Sequence, residues 1–385
     1  MTPADATAYF AQGFVPNERV AAKAIADLTA TVLEHKAEVA GQGFEEVMLK
    51  ELESRCAPIW NLTLTGGLDS RFVLAMIEML QNPGEIKCYT WGPPTSKDVQ
   101  GASIAAKHHA HTVLDTRSVD WHREDIVQYL RAIRPAIGDS LPRLDAVWLY
   151  RKLSKLMAPT GLRLNGYLGD MLSGAHLIHR QNFKDDASAF AAMNSTGLTD
   201  IFDASSYYSN FCRDHADLLD EAREVTCFTT FDLLDYAFRQ KQRIEPVMRV
   251  DGKNWVSPFN SPKVIAKWAM IPLDERSMQR RYRATLNKYI GDISVDRPRS
   301  LQEKIRSRVA KLFNKYPTQM KNLADPTVNA SLRDTMETTC LALDARNLAP
   351  VRVIETYERL RKRPSKLDWN TCMFAMSLEL HLQTC

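Results

Sequence analysis

Apolar positions along the chain fall into two regimes. From residue 59 to about 182, short apolar runs closed by glycine or proline alternate with stretches of helical periodicity. Ile59 to Leu64 reads as a strand. Phe72, Ala75, Met76, Met79 and Leu80 then recur at helical spacing, predicting a helix that opens at Asp69–Ser70. Ile86 to Trp91 is a second apolar strand, ended by Gly92-Pro93-Pro94. Asp98 is placed to cap a helix running to about His109, and Thr112–Leu114 forms a short third strand. Helices follow around Trp121–Ile133 and Asp145–Met157, and Leu162 to Asn165 is a fourth strand. Strands alternating with helices of this length imply parallel pairing through right-handed crossovers. Elsewhere the pattern is helical. Val20 to Leu33 is the clearest early helix, Trp255–Val256 the one late strand, and Leu301 to Gln383 a basic helical stretch. The fold class is therefore α/β, a parallel doubly wound sheet with a large helical C-terminal part. Its expected organisation is a helical segment 1–58, an α/β core 59–182, and a mainly helical region 183–385 completing the same domain.

In such sheets ligands sit beyond the carboxyl ends of the strands. The first strand ends in L-T-L-T-G-G-L-D-S-R, Leu62 to Arg71. Two adjacent glycines let backbone N–H groups approach an anion, and a helix N-terminus favours negative charge. This turn can hold a polyphosphate. It is not the Walker-type loop, because the G-x-x-x-x-G-K-[ST] lysine is absent. An acid, Asp69, stands where that lysine would help, which implies a cation between Asp69 and the phosphates.

The fourth strand ends in N-G-Y-L-G-D-M-L-S-G, Asn165 to Gly174, so a second glycine-flanked acid, Asp170, reaches the same rim. Two carboxylates converging on one phosphate site repel it unless a divalent cation lies between them. Mg²⁺ takes few protein carboxylates together with phosphate oxygens, which this pairing would supply.

Composition narrows the class. The 385 residues are 45% hydrophobic and 25% charged with a net charge of +4, ordinary for a globular protein and too weakly basic to argue for nucleic acid. No apolar run approaches the ~20 residues that span a bilayer, and no basic-then-apolar leader opens the chain. Seven scattered cysteines without C-x-x-C spacing suit free thiols in a reducing compartment, predicting a cytoplasmic protein with no membrane partner. Asn61-Leu62-Thr63 matches a glycosylation acceptor but falls in a buried strand. The His108, His109 and His111 cluster lacks carboxylate or cysteine neighbours in sequence and reads as structural.

The first loop resembles the S-G-G-x-D-S pyrophosphate loop of the N-type ATP pyrophosphatases, with Thr65 in place of the first serine. The order and separation of the two loops look like the synthetase domain of asparagine synthetase and its relatives, including β-lactam synthetase. In that family the second loop resembles G-[EY]-G-x-D. Here it is G-Y-L-G-D, so Asp170 matches the metal ligand and Tyr167 falls where β-lactam synthetases carry a catalytic tyrosine. The Leu168–Gly169 order departs from the usual Gly–x order. Tyr9 to Asn17 is similar to the family's interdomain segment, and Ser96 to Asp98 resembles its S-x-D-x-x-x-A helix. Ser257 to Ser261, S-P-F-N-S, stands in for R-x-P-F-L-D. Arg280 to Ile290 lies where a K-x-x-L-R-type segment brings a lysine to the phosphates, and Arg283 is the best-aligned cation.

The resemblance implies an adenine nucleotide alpha hydrolase-like fold and an AMP-forming ligase using ATP and Mg²⁺. It implies nucleotide contacts from Leu64, Thr65, Gly66, Gly67, Asp69, Ser70, Thr90 and Gly166, with adenine near Thr90–Trp91. Asp69 and Asp170 would hold the metal. Tyr167 and Arg283 would be catalytic, Tyr167 oriented by an acid such as Glu245 or Asp232. The implied partners are a small-molecule, peptide or sugar carboxylate and an amine or ammonia donor. Asparagine synthetases begin with a cysteine-nucleophile glutaminase domain. This chain opens Met1-Thr2 with its first cysteine at Cys56, so nitrogen is expected from free ammonia, a separate glutaminase subunit or a substrate amine. A homodimer is one assembly open to it. Two other readings keep part of this chemistry. One is a tRNA- or nucleotide-modifying ATP pyrophosphatase, for which the basic segments Lys304 to Lys315 and Arg352 to Lys366 would be the nucleic-acid stripe. The other is a non-catalytic nucleotide-binding relative.

Overall fold

The computed structural model describes residues 1–138, 140–198, 201–250, 255–290, 329–362 and 365–384. Strands β1 (Ile59–Thr63), β2 (Glu85–Trp91), β3 (Ala110–Leu114), β4 (Leu162–Leu164) and β5 (Trp255–Val256) form one five-stranded sheet in the order β3-β2-β1-β4-β5. Every pairing is parallel, with Leu62 opposite Cys88 and Leu164, and Lys87 opposite Ala110. The α/β class and parallel sheet expected from the sequence are thus observed, and most of the remaining chain is helical. The fifth strand comes from residues 255–256. The strand order reverses between β1 and β4, so a crevice opens beyond their carboxyl ends. Both glycine loops start there.

Element ends moved by a few residues for identifiable reasons. The helix after the first loop is Leu68–Glu78, with Gly67 in extended conformation as its N-cap. The helix expected from Asp98 to His109 is Lys97–Ala105. Ser96, not Asp98, caps it by accepting from the Val99 N–H at 3.3 Å. The early helix is longer than its clearest apolar stretch, Glu18–Val39, because Asn17 caps it from outside the periodic run. Residues 301–328 of the expected basic helical stretch lie outside the described residues; after them come the helices Ala330–Ala345, Val353–Lys362 and Lys366–Leu382. Among the described residues, no helix is long and apolar enough to cross a membrane.

Trp60 and Leu62 of β1, and Leu64 just past its end, join the larger core with Phe72, Phe44, Trp268 and Tyr282. In that cluster the Phe72 ring sits 5.4 Å from Phe44 and 5.5 Å from Tyr282, and Trp268 lies 4.7 Å from Phe44. These rings pin the helix Arg280–Ile290 against the helix Leu68–Glu78. Asn61 is fully buried inside β1, where its amide bonds both the carbonyl and the N–H of Ala158. That placement removes it from any glycosylation.

The first loop is seated by a close backbone approach. A Cβ on Gly101 would lie 2.6 Å from the Gly66 Cα, and one on Gly66 would lie 3.0 Å from the Lys97 carbonyl oxygen. Ordinarily Gly→Ala inside a helix stabilises by about 1 kcal/mol. For Gly101→Ala we expect the opposite, a loss of about 1–3 kcal/mol from forced displacement of the loop. Urea unfolding of the variant checks this; a raised midpoint would show that the contact yields freely.

Candidate active site

The first loop is closed by its own hydroxyls. Ser70 Oγ accepts from the Thr65 N–H at 3.0 Å and lies 3.2 Å from Thr65 Oγ1, which in turn accepts from the Gly67 N–H at 3.1 Å. A threonine therefore fills the serine position without losing the turn, since its hydroxyl makes the bond. No side chain caps the helix that follows. Its first N–H groups thus remain available to an anion at the crevice. Leu64 ends the strand, donating to the Tyr89 carbonyl at 2.8 Å and accepting from Thr90 Oγ1 at 2.7 Å. Thr90 is buried and also bonds His111 Nε2 at 2.9 Å, so it braces the loop from behind.

The second loop packs directly on the first. A Cβ on Gly169 would sit 2.6 Å from Asp69 Cγ, and one on Gly166 would sit 3.0 Å from Asp69 Cβ. Between them Leu168 adopts the left-handed conformation at φ +70°. The resembled pattern has glycine at that position. Here leucine takes the strained conformation and glycine moves one place on, where the Asp69 carboxylate leaves no room for a side chain. With glycine at 169 the second loop lies flat against Asp69, and Asp170 follows it to the same rim. Ser257 Oγ donates to the Tyr167 carbonyl at 2.6 Å, so the S-P-F-N-S segment anchors the second loop.

Asp69 and Asp170 consequently face one another electrostatically but in unlike states. Burial, then the nearby Asp170 charge, pushes Asp69 up to about 7, with Tyr282 opposing. Although Asp69 keeps some exposure as a residue, its Oδ1 is sealed and makes no well-formed hydrogen bond; the Tyr282 hydroxyl, close enough to favour the charged form, makes none either. For Asp170, burial works against the charge. Arg239 overrides it, holding the carboxyl below the usual range through a 2.7 Å ion pair. The Met171 N–H at 2.8 Å and Gln240 Nε2 at 3.2 Å complete its shell.

Arg239 and Gln240 belong to a ten-residue π-helix, Asp235–Ile244. Such wide turns are rare and gather at functional sites. This one also pairs Arg239 with buried Asp235 and meets the Tyr9 to Asn17 segment, where Asn17 and Gln242 exchange hydrogen bonds of 2.8 and 3.0 Å. Neither Arg239 nor the π-helix was singled out by sequence reading. A π-turn has no distinctive apolar period, and an Arg among polar residues looks solvated.

Tyr167 is buried, its hydroxyl donating to the Gln240 carbonyl at 3.1 Å and lying 3.3 Å from Glu245 Oε2. Burial, followed by the Glu245 charge, raises its pKa well above the ordinary value. Of the two acids offered as its partner, Glu245 is the neighbour. Asp232 is not. It is held by a fully buried Arg276 in two 2.9 Å bonds and by His176 Nε2 at 2.7 Å, a network that fixes the end of the second loop. Arg283 stands on the exposed side of its helix, bonded to Gln279 Oε1 at 3.2 Å, while the adjacent Tyr282 reaches Asp69.

Among the described residues no group of three or more His, Cys, Asp or Glu side chains could hold a metal unaided. Two carboxylates with a vacant buried oxygen suit Mg²⁺ better, since that ion keeps waters and phosphate oxygens among its ligands. His109 does have an acidic neighbour, Glu78 at 2.6 Å, which ties the end of one helix to the start of β3. The described cysteines, Cys56, Cys88, Cys212, Cys227, Cys340 and Cys372, are free thiols. In the Arg352 to Lys366 segment, Arg352, Arg359 and Arg361 each face an acid, Asp344, Asp368 and Glu337. The Lys304 to Lys315 segment lies outside the described residues. No protein-family model matches the chain, and no curated protein sequence matches it significantly.

The Asp69 carboxyl carries a stability signature. Its folded pKa near 7 exceeds the unfolded value near 3.8, so its contribution favours the native state at low pH and is lost as pH rises through 7. Asp69→Asn abolishes that loss. We expect the variant to be more stable than the parent at pH 8, by on the order of 2–4 kcal/mol, and about equal at pH 4. Urea titrations at both pH values check the sign; a parent more stable at pH 8 would contradict it.

Proposed function

We propose that the chain is an ATP-dependent, AMP-forming carbon–nitrogen ligase of the asparagine synthetase and β-lactam synthetase kind, built on an adenine nucleotide alpha hydrolase-like fold. The observation that carries the reading is Asp69 pressed onto the Gly166–Gly169 backbone, with a buried oxygen that makes no well-formed hydrogen bond and Asp170 alongside. A structural aspartate would be expected to find a donor for that oxygen.

In this reading the uncapped helix N-terminus and the Thr65–Ser70 loop hold the polyphosphate of ATP, and Asp69 and Asp170 hold Mg²⁺. The metal would supply Lewis-acid neutralisation of the departing pyrophosphate. One oxygen of a substrate carboxylate bonds to the α-phosphorus as pyrophosphate leaves. An amine or ammonia nitrogen then bonds to the acyl carbon, AMP leaves, and the nitrogen gives up a proton. Tyr167 is too strongly held in its neutral form to be a free base. Its hydroxyl instead bonds Glu245, and in this reading the proton passes to that carboxylate through the phenol. Glu245 also carries Lys241 at 2.8 Å and Arg249 at 2.7 Å, which keep it ionised and oriented. The nitrogen source is ammonia or a substrate amine, and the setting is polysaccharide or natural-product biosynthesis in the cytoplasm. The paired arginines of the Arg352 to Lys366 segment favour a solvated helix over a tRNA stripe.

Pyrophosphate exchange into ATP, measured across a panel of carboxylic acids, tests the reading. The parent should exchange, Asp69→Asn and Asp170→Asn should lose at least ~100-fold while remaining folded, and Tyr167→Phe should keep exchange but lose amide formation. Full exchange in either aspartate variant would remove the metal role. A parent inert with every acid would remove the ligase.

A further inference from the structure

Where the sequence suggests a cation, the helix Arg280–Ile290 presents a phenol to the rim. Two residues in the left-handed conformation, Met278 at φ +55° and Gln279 at φ +57°, set the angle at which the chain enters this helix. Such backbone is costly outside glycine and persists where contacts hold it in place. Here Gln279 Nε2 donates to Ser173 Oγ at 3.0 Å, and that hydroxyl donates to the Asp170 carbonyl at 3.2 Å. The start of the helix is thereby tied to the loop that carries Asp170. Three residues on, Tyr282 is buried and reaches Asp69, while Arg283 stays exposed. One short segment thus touches the supports of both acids.

The Tyr282 ring is held on several sides. Its centroid lies 5.5 Å from Phe72, 5.9 Å from Trp268, 6.2 Å from Phe44 and 6.3 Å from Phe259. A ring packed in this way does not swing, so its hydroxyl is delivered to one place. Phenylalanine would fill the same space without burying a hydroxyl that makes no well-formed hydrogen bond. Asp69 Oδ1 is in the same condition, and the two groups are neighbours, because the hydroxyl favours the charged form of the carboxyl. The phenol keeps its proton, since burial and then the Asp69 charge raise its pKa well above the ordinary value. It stands as a donor facing an acceptor.

Carboxylates that ligate a metal are themselves hydrogen-bonded, and that support fixes which oxygen meets the ion. Asp170 has its support from Arg239, Gln240 and the Met171 N–H. We propose that Tyr282 is the matching positioning residue for Asp69: its hydroxyl donates to Oδ1 of the ionised carboxylate and leaves Oδ2 to face the crevice and a divalent cation. This rests on the metal role of Asp69 in the ligase reading and adds the group that orients it. A neutral phenol suits the task, because a lysine or arginine in its place would compete with the metal for the same carboxylate.

The test is calorimetric titration of the full chain at pH 8 with the Mn²⁺ complex of α,β-methylene-ATP, beside the same nucleotide in EDTA. Tyr282→Phe should bind the Mn²⁺ complex about 10–100-fold more weakly and the metal-free nucleotide as the parent does. Its melting temperature at pH 6 without metal should be unchanged or higher, a result that a structural hydroxyl would reverse. Incorporation of 4-aminophenylalanine at position 282, which keeps a donor at the same place on the ring, should recover most of the lost affinity. Unchanged affinity for the Mn²⁺ complex in Tyr282→Phe, a loss shared equally by the metal-free nucleotide, no recovery with the amino donor, or a lower melting temperature would overturn the positioning role. With any of these, Asp69→Asn still weakens binding of the Mn²⁺ complex and the metal reading stands. A parent that binds the Mn²⁺ complex no tighter than metal-free nucleotide, or as tightly as Asp69→Asn does, would overturn both.

Discussion

Everything at the rim follows from one steric fact: a carboxylate occupies the space where residue 169 would carry a side chain. Two strand ends deliver their acids to the same rim because Gly166 and Gly169 let the second loop lie flat on Asp69. Gly66 and Gly101 do the same on the other flank, seating the first loop on the helix Lys97–Ala105. The reversal of strand order between β1 and β4 opens the crevice, and the glycine contacts narrow it to a site.

That proximity creates an electrostatic problem which the helical part of the chain solves asymmetrically. Asp170 is supplied with Arg239 and stays ionised; Asp69 is supplied with little beyond the Tyr282 hydroxyl and holds its proton up to about neutral pH. The π-helix is what makes the asymmetry possible. Its wide turn presents Arg239 and Gln240 to Asp170, the Gln240 carbonyl to Tyr167, and Arg243 to a neighbouring cavity. Behind it, the buried Asp232–Arg276 pair and His176 lock the end of the second loop. Breaking such a pair one-sidedly costs about 3–5 kcal/mol, so this network fixes geometry as firmly as any apolar contact.

The sheet and both loops were legible because their signals are local. Apolar runs ended by Gly-Gly, Gly-Pro-Pro and Asn-Gly mark strands and turns, and Asp69 and Asp170 stand out by their glycine neighbours. The partner of Tyr167 was only half legible, since Glu245 and Asp232 are equally plausible acids until the fold brings one of them to 3.3 Å. Arg239, Arg276 and His176 were invisible because each earns its meaning from a contact made across 44 to 69 positions of chain. Arg283 shows the limit of alignment by position. A one-residue rotation of its helix puts Tyr282 inward and the guanidinium outward.

The most direct measurement is the position of the metal itself. Crystals grown with Mn²⁺ in place of Mg²⁺ and a non-hydrolysable ATP analogue would locate it by anomalous scattering. The account predicts one ion within about 2.0–2.3 Å of a carboxylate oxygen from both Asp69 and Asp170, with phosphate oxygens filling the same sphere. An ion bound by phosphate alone, or by only one of these acids while Asp170 stays clasped by Arg239, would contradict it.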